Sequence, residues 1–152
     1  MCKPNMISPP QSSASTAPDD TTFFEWKGLI EELAAFKNTY MKISGGFSEI
    51  VPLPKHDDQS QDNREKREEM FKRLVPHIGG FISTAWDAFG ADRVLWASDW
   101  PVCNIGGGGN EPAWKYWLSL VEQWANGKEL SDGEKKALWS ETASKVYKIP
   151  TK

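Results

Sequence analysis

Asp99 is the side chain in this sequence best placed to do chemistry, because it directly follows residues 93–98, Arg-Val-Leu-Trp-Ala-Ser, an apolar run with polar ends. Such a run reads as a parallel strand buried on both faces. An acid just beyond it lies at the carboxyl edge where α/β folds gather their active sites. The alternative is an Asx-turn, in which Asp99 merely folds the chain into Trp100-Pro101, and the two roles are compatible. Trp100, adjoining Asp99 at the same edge, is the one tryptophan whose position suits a ligand contact.

Other candidates carry less. His56 and His77 are the only histidines, and neither H-x-H nor H-E-x-x-H occurs, so the histidines do not complete a metal site with the usual spacing. His56 adjoins Asp57-Asp58 in what reads as a solvated loop. The run Gly106 to Gly109 precedes a predicted helix but lacks the Lys-Ser/Thr of a P-loop and the G-x-G-x-x-G pattern, which favours loop flexibility over phosphate binding. Ser44 and Ser98 have no G-x-S-x-G context, leaving a Ser-His-Asp triad without support. Cys2 and Cys103 form no C-x-x-C pair, which excludes a disulfide framework or zinc knuckle and points to a reducing, cytoplasmic setting.

The elements that must hold Asp99 follow from capping and periodicity. Residues 1–20 read as a flexible lead-in, leaving 21–152 as the folded part. Thr22-Phe23-Phe24-Glu25 has capping-box spacing and opens a helix that should end near Asn38, with Trp26, Leu29, Ile30 and Leu33 on its apolar face. A strand over residues 39–44 closes on Gly45-Gly46. After a long polar loop, Asn63 caps a second helix. Its stripe is Met70, Phe71, Leu74, Val75 and Ile78, and it runs past a bend at Pro76 to a stop at Gly90. Beyond the strand ending in Asp99, a helix opens at Glu111-Pro112 with Trp114, Trp117, Leu118, Val121 and Trp124 on one side and Gly127 at its end. The helical spacing of those tryptophans favours packing against a sheet over a sugar-stacking platform. Ser131-Asp132-Gly133-Glu134 is a second capping box, for a last helix through Leu138, Val146 and Tyr147.

Helices alternating with buried strands argue for α/β architecture with a parallel sheet. Two strands alone leave unpaired edges, so the sequence reads as part of a larger sheet. The 152 residues, 39% hydrophobic and 26% charged, suit one folded domain and exclude a second. A formal net charge of -3 supplies no basic surface for nucleic acid, and no apolar run is long enough for a membrane span or a secretory leader.

Residues 94–102, V-L-W-A-S-D-W-P-V, closely resemble the last barrel strand of the amidohydrolase-related family, in the branch that includes lactonases. Residues 26–48 are similar to that family's penultimate helix and strand with its K-x-S-G ending. Residues 88–93, A-F-G-A-D-R, resemble its A-F-G-x-x-R lead, and residues 142–147 its closing N-A-x-x-x-Y helix, with Thr142 where Asn is usual. That departure should weaken a helix contact and leave the chemistry alone. Met1-Cys2-Lys3-Pro4 looks like the tail of a D-H-x-x-K-P segment whose Asp-His would lie upstream.

The resemblance implies the C-terminal portion of an incomplete (β/α)8 barrel. It implies a hydrolase opening a small lactone or amide, with Asp99 taking a proton from water, directly or as ligand of one divalent metal such as zinc in the full-length barrel. Lys42, on the preceding strand, is then a substrate-facing candidate, or else a solvated strand flank. An isolated fragment should be impaired, and the alternative function is an inactive half-barrel that binds partners or itself through exposed sheet edges.

Overall fold

The computed structural model describes residues 20–46, 61–104 and 113–150. The expectations for residues 1–19 of the lead-in, His56, Cys2, the glycine run and the helix start at Glu111-Pro112 fall outside them, and Asp20, read as lead-in, is helical. The element order is helix α1 (Asp20–Ala34), strand β1 (Met41–Ile43), helix α2 (Gln61–Phe89), strand β2 (Val94–Trp96), and helices α3 (Ala113–Gly127), α4 (Asp132–Lys136) and α5 (Thr142–Tyr147). Among the described residues no helix is long and apolar enough to cross a membrane.

The expected order and the parallel pairing are both present, with Met41 opposite Val94, Lys42 opposite Leu95 and Ile43 opposite Trp96. Both strands are shorter than read, but the ladder continues one step further, where the Ala97 N–H donates to the Ile43 carbonyl at 3.0 Å. Alternation puts Met41, Ile43, Val94 and Trp96 on one face, packed into the helical core, and Lys42 and Leu95 on the other. Leu95 is buried and Lys42 exposed.

Two predicted caps are corrected. Helix α1 begins at Asp20 and α2 at Gln61, so Thr22 and Asn63 lie inside helices, where the backbone is already helical and the N-cap conformation is lost. The apolar face of α1 is also narrower than read. Trp26, Ile30 and Ala34 are buried while Leu29 is 60% exposed and Leu33 39% exposed, because α2 covers only one flank of the stripe. Helix α1 stops at Ala34, before Asn38, and Thr39 closes the following turn by donating from Oγ1 to the carbonyls of Leu33 (2.8 Å) and Phe36 (2.6 Å).

Helix α2 carries Pro76 within one run and buries Leu74, Ile78, Phe81, Ile82, Ala85, Trp86 and Phe89. Gly90 ends it with φ 76, a left-handed conformation that disfavours any side chain. On α3, Trp117, Val121 and Trp124 are buried as their spacing predicts, Leu120 joins them, Leu118 is half-buried and Trp114 lies at the surface. The capping box at Ser131 is present in both directions, the Glu134 N–H donating to Ser131 Oγ and the Ser131 N–H to the Glu134 carboxylate. The Ser131 hydroxyl and N–H together hold the Glu134 carboxyl below the usual range.

The expected last helix runs as α4, a π-helical turn over Ala137–Glu141, and α5. The turn buries Leu138 and sets Trp139 edge-on to Trp96, ring centroids 5.7 Å apart. Thr142, at the position where the family usually has Asn, is buried and keeps a link to the strand lead, donating from Oγ1 to the Ala91 carbonyl at 3.4 Å.

Candidate active site

Past Trp96 the chain leaves the sheet through Ala97 and Ser98, and Asp99 adopts a left-handed φ of 58. Asp99 does not make the Asx-turn its position suggests. An Asx-turn would need an N–H two residues beyond Asp99, and that residue is Pro101, which has none. Ser98 makes the turn instead, its Oγ accepting the Trp100 N–H at 3.3 Å. The Asp99 carbonyl accepts the Cys103 N–H at 3.0 Å. No hydrogen bond from the described residues reaches the Asp99 carboxylate, which is half-buried at the carboxyl end of a parallel strand. An acid not engaged in holding the backbone is available to a ligand or a water.

Trp100 stands 65% exposed beside it, joined to Pro101 by a cis peptide bond. Lys42 is exposed in the middle of β1, and among the described residues it forms no ion pair with Asp99, so the two candidates share a sheet and not a contact. Ser44 is buried just beyond β1.

Cys103 lies under this turn, 1% exposed. Burial, and secondarily the negative charge of Asp99, push its thiol up from the ordinary range against a smaller opposing effect of its backbone hydrogen bond. A raised thiol pKa favours the fold while the thiol is neutral, and that contribution is lost as pH climbs through the folded-state value. In a Cys2→Ser background, native Cys103 should therefore react with iodoacetamide many-fold more slowly at pH 8.5 than the urea-unfolded chain. Removing the charge with Asp99→Asn should bring the onset of alkylation to lower pH. Equal rates for native and unfolded protein would contradict the burial.

Trp117 of α3 lies across the ends of both strands. Its Nε1–H donates to the Ala97 carbonyl at 3.0 Å, and its ring lies so close over Gly46 that a Cβ there would stand 2.4 Å from Cζ3. Helical spacing places Trp117 on the apolar side of α3, but nothing local in the sequence shows that its polar edge reaches Ala97. Its neighbour on the same face, Trp124, donates to Ser83 Oγ at 2.9 Å.

Asp99 is a competent oxygen ligand for a metal. His77, however, is buried on α2 edge-on to Phe81 at 5.9 Å, within the helical core. Among the described residues no three His, Cys, Asp or Glu side chains come together, so these residues alone do not hold a divalent ion.

A parallel α/β unit with an acid at a strand's carboxyl end is the arrangement of barrel and doubly wound hydrolases. The chain belongs to the amidohydrolase family, whose sequence model, described as "Amidohydrolase", matches residues 9–149. It is 34% identical over 132 residues to an L-fucono-1,5-lactonase of Burkholderia multivorans, covering 87% of this chain and 38% of that protein. An L-rhamnono-gamma-lactonase of Scheffersomyces stipitis is 27% identical, covering 88% of this chain and 36% of that one. A crystal structure of an amidohydrolase from Burkholderia multivorans with bound HEPES superposes with TM-score 0.64 at 33% identity, covering 87% of this chain and 39% of that one. A structure of an amidohydrolase from the same organism with bound zinc gives 0.63 at 32% identity, covering 89% and 40%. The chain thus spans less than two-fifths of the length of the curated relatives it matches.

Proposed function

We propose that this chain is the C-terminal portion of a (β/α)8-barrel hydrolase that opens small sugar-derived lactones, with amides as the neighbouring substrate class. The observation that carries the reading is the Asp99 carboxylate, held at a strand end and free of hydrogen bonds from the described residues. The similarity to lactonases named for L-fucono-1,5-lactone and L-rhamnono-gamma-lactone supports the substrate class.

In this reading Asp99 takes a proton from a water, whose oxygen adds to the lactone carbonyl carbon. The ring C–O bond then breaks, the ring oxygen takes up a proton, and the product is an open hydroxy acid. Trp100 offers its exposed face to the apolar side of the sugar ring. Lys42 lends positive charge to the developing oxyanion, and the other groups of the site come from beyond the described residues. Because members of a site act together, the chain by itself should turn over far more slowly than a whole barrel.

The test is acid release from L-fucono-1,5-lactone and L-rhamnono-gamma-lactone by the purified chain and by Asp99→Asn. The expected result is slow turnover that falls by at least about 100-fold in the variant. An unchanged rate in Asp99→Asn removes the residue from the chemistry.

A second reading, an inactive half-barrel that binds a partner or a second copy, is favoured by one observation. Within the described residues β1 and β2 each have a single neighbour, so each presents an open edge. Concentration-dependent sedimentation that Asp99→Asn leaves intact, together with no turnover of either lactone, would select it.

A further inference from the structure

We propose that Trp117 is a positioning residue for Asp99, acting through the backbone of Ala97, and that Gly46 is required for it to do so. The inference rests on the hydrolase reading above for its catalytic consequence, and on geometry for the rest.

Among the described residues the Asp99 carboxylate receives no hydrogen bond, so what these residues contribute to its direction comes through the backbone. Its direction is set by the backbone on either side. Downstream, the Cys103 N–H holds the Asp99 carbonyl at 3.0 Å, and the Ser98 hydroxyl holds the Trp100 N–H at 3.3 Å. Upstream, the strand supplies only half of what is needed. The Ala97 N–H is tied to Ile43 of β1, but its carbonyl is bonded by the indole N–H of Trp117 at 3.0 Å. Ala97 lies two residues before Asp99, so a rotation of the Ala97–Ser98 peptide swings the carboxylate directly. One buried indole therefore sets the upstream anchor.

Gly46 explains why the indole can be there. Trp117 is 1% exposed, and its ring occupies the space where a side chain on residue 46 would begin, at 2.4 Å from Cζ3 and 2.7 Å from Cη2. The same ring thus touches the loop after β1 and bonds the end of β2, fixing the two strand ends relative to each other. A large rigid ring packed to this depth cannot swing away as a flexible side chain would.

Trp117→Phe deletes the N–H and keeps an aromatic ring, and Gly46→Ala keeps the N–H and displaces the ring. Both should lower kcat for L-fucono-1,5-lactone at least tenfold with KM little changed. In an Asp99→Asn background Trp117→Phe should add no further loss, whereas a merely structural role would slow both backgrounds alike. Independent of turnover, amide hydrogen exchange of Ala97 and Cys103 should quicken at least tenfold in Trp117→Phe while Ile82, in the C-terminal half of α2, keeps its protection. If the chain turns over no lactone, the hydrolase reading fails, and the exchange experiment still decides whether Trp117 holds this strand end. Unchanged exchange at Ala97 and Cys103, or an equal loss in both backgrounds, overturns the proposal.

Discussion

Phe81→Ala is expected to destabilise the fold by about 3–5 kcal/mol, which in a domain of this length lowers the thermal midpoint by roughly 10 °C. Phe81 is 1% exposed in the C-terminal half of α2 and is the ring at which three others meet. Phe23 and Trp26 of α1 lie edge-on at 5.3 Å and 5.0 Å, and His77 at 5.9 Å. Removing it leaves a cavity between the two helices and forfeits edge-to-face contacts worth about 0.5–1.5 kcal/mol each. Folded domains hold only about 5–15 kcal/mol in total, so much of the margin would go. Leu29→Ala is the control. The residue is 60% exposed, and its truncation should stay within about 0.5 kcal/mol. Urea unfolding of both variants reads the difference, and equal losses would mean that α1 is packed differently.

Arg93→Ala should cost about 2–3 kcal/mol, a large loss for a residue that looks like a surface charge ahead of a strand. Its guanidinium donates from Nη1 to the carbonyls of Ala34 (2.9 Å) and Phe36 (3.1 Å), and from Nε to that of Phe89 (3.0 Å). These carbonyls lie at or just beyond the C-terminal ends of α1 and α2, where backbone acceptors lack intrahelical partners and the helix dipoles favour a cation. The group also stacks over the Phe89 ring at 5.2 Å. One planar fork therefore ties together two helix ends and the start of β2. Arg93→Lys, a point charge without the fork, should recover less than half of the loss. Arg73→Ala, which breaks only an exposed pair with Glu69, should be close to neutral. A neutral Arg93→Ala in urea unfolding would show that water replaces these bonds at no cost.

Much of the molecule was legible because its signals are local. The strand before Asp99 is announced by its own apolar run, the stop of α2 by Gly90, and the start of α4 by Ser131 and Glu134 reaching each other across three residues. The family motifs are equally local, which is why the resemblance and the family match agree. Periodicity was weaker, since it finds a stripe without saying how much of it a neighbour covers. Leu29 and Ile30 are adjacent in sequence and both strongly apolar, yet Ile30 is 1% exposed because it faces α2, and Leu29 is 60% exposed. The two missed caps have the same origin: Thr22 and Asn63 have the right chemistry, but each helix begins two residues, about half a turn, before them.

What the sequence determined by itself is therefore the order of helices and parallel strands, the placing of an acid at a strand end, and the family. Each is encoded within a few consecutive residues, where propensity, capping and apolar pattern act. Only the tertiary structure decided that no described residue hydrogen-bonds the Asp99 carboxylate, that Arg93 reaches carbonyls 57 and 59 residues away, and that Trp117 bonds a strand end 20 residues upstream. Those contacts join polar atoms whose partners are defined by packing in space, and a side chain's partner across the fold leaves no mark on its neighbours in the chain.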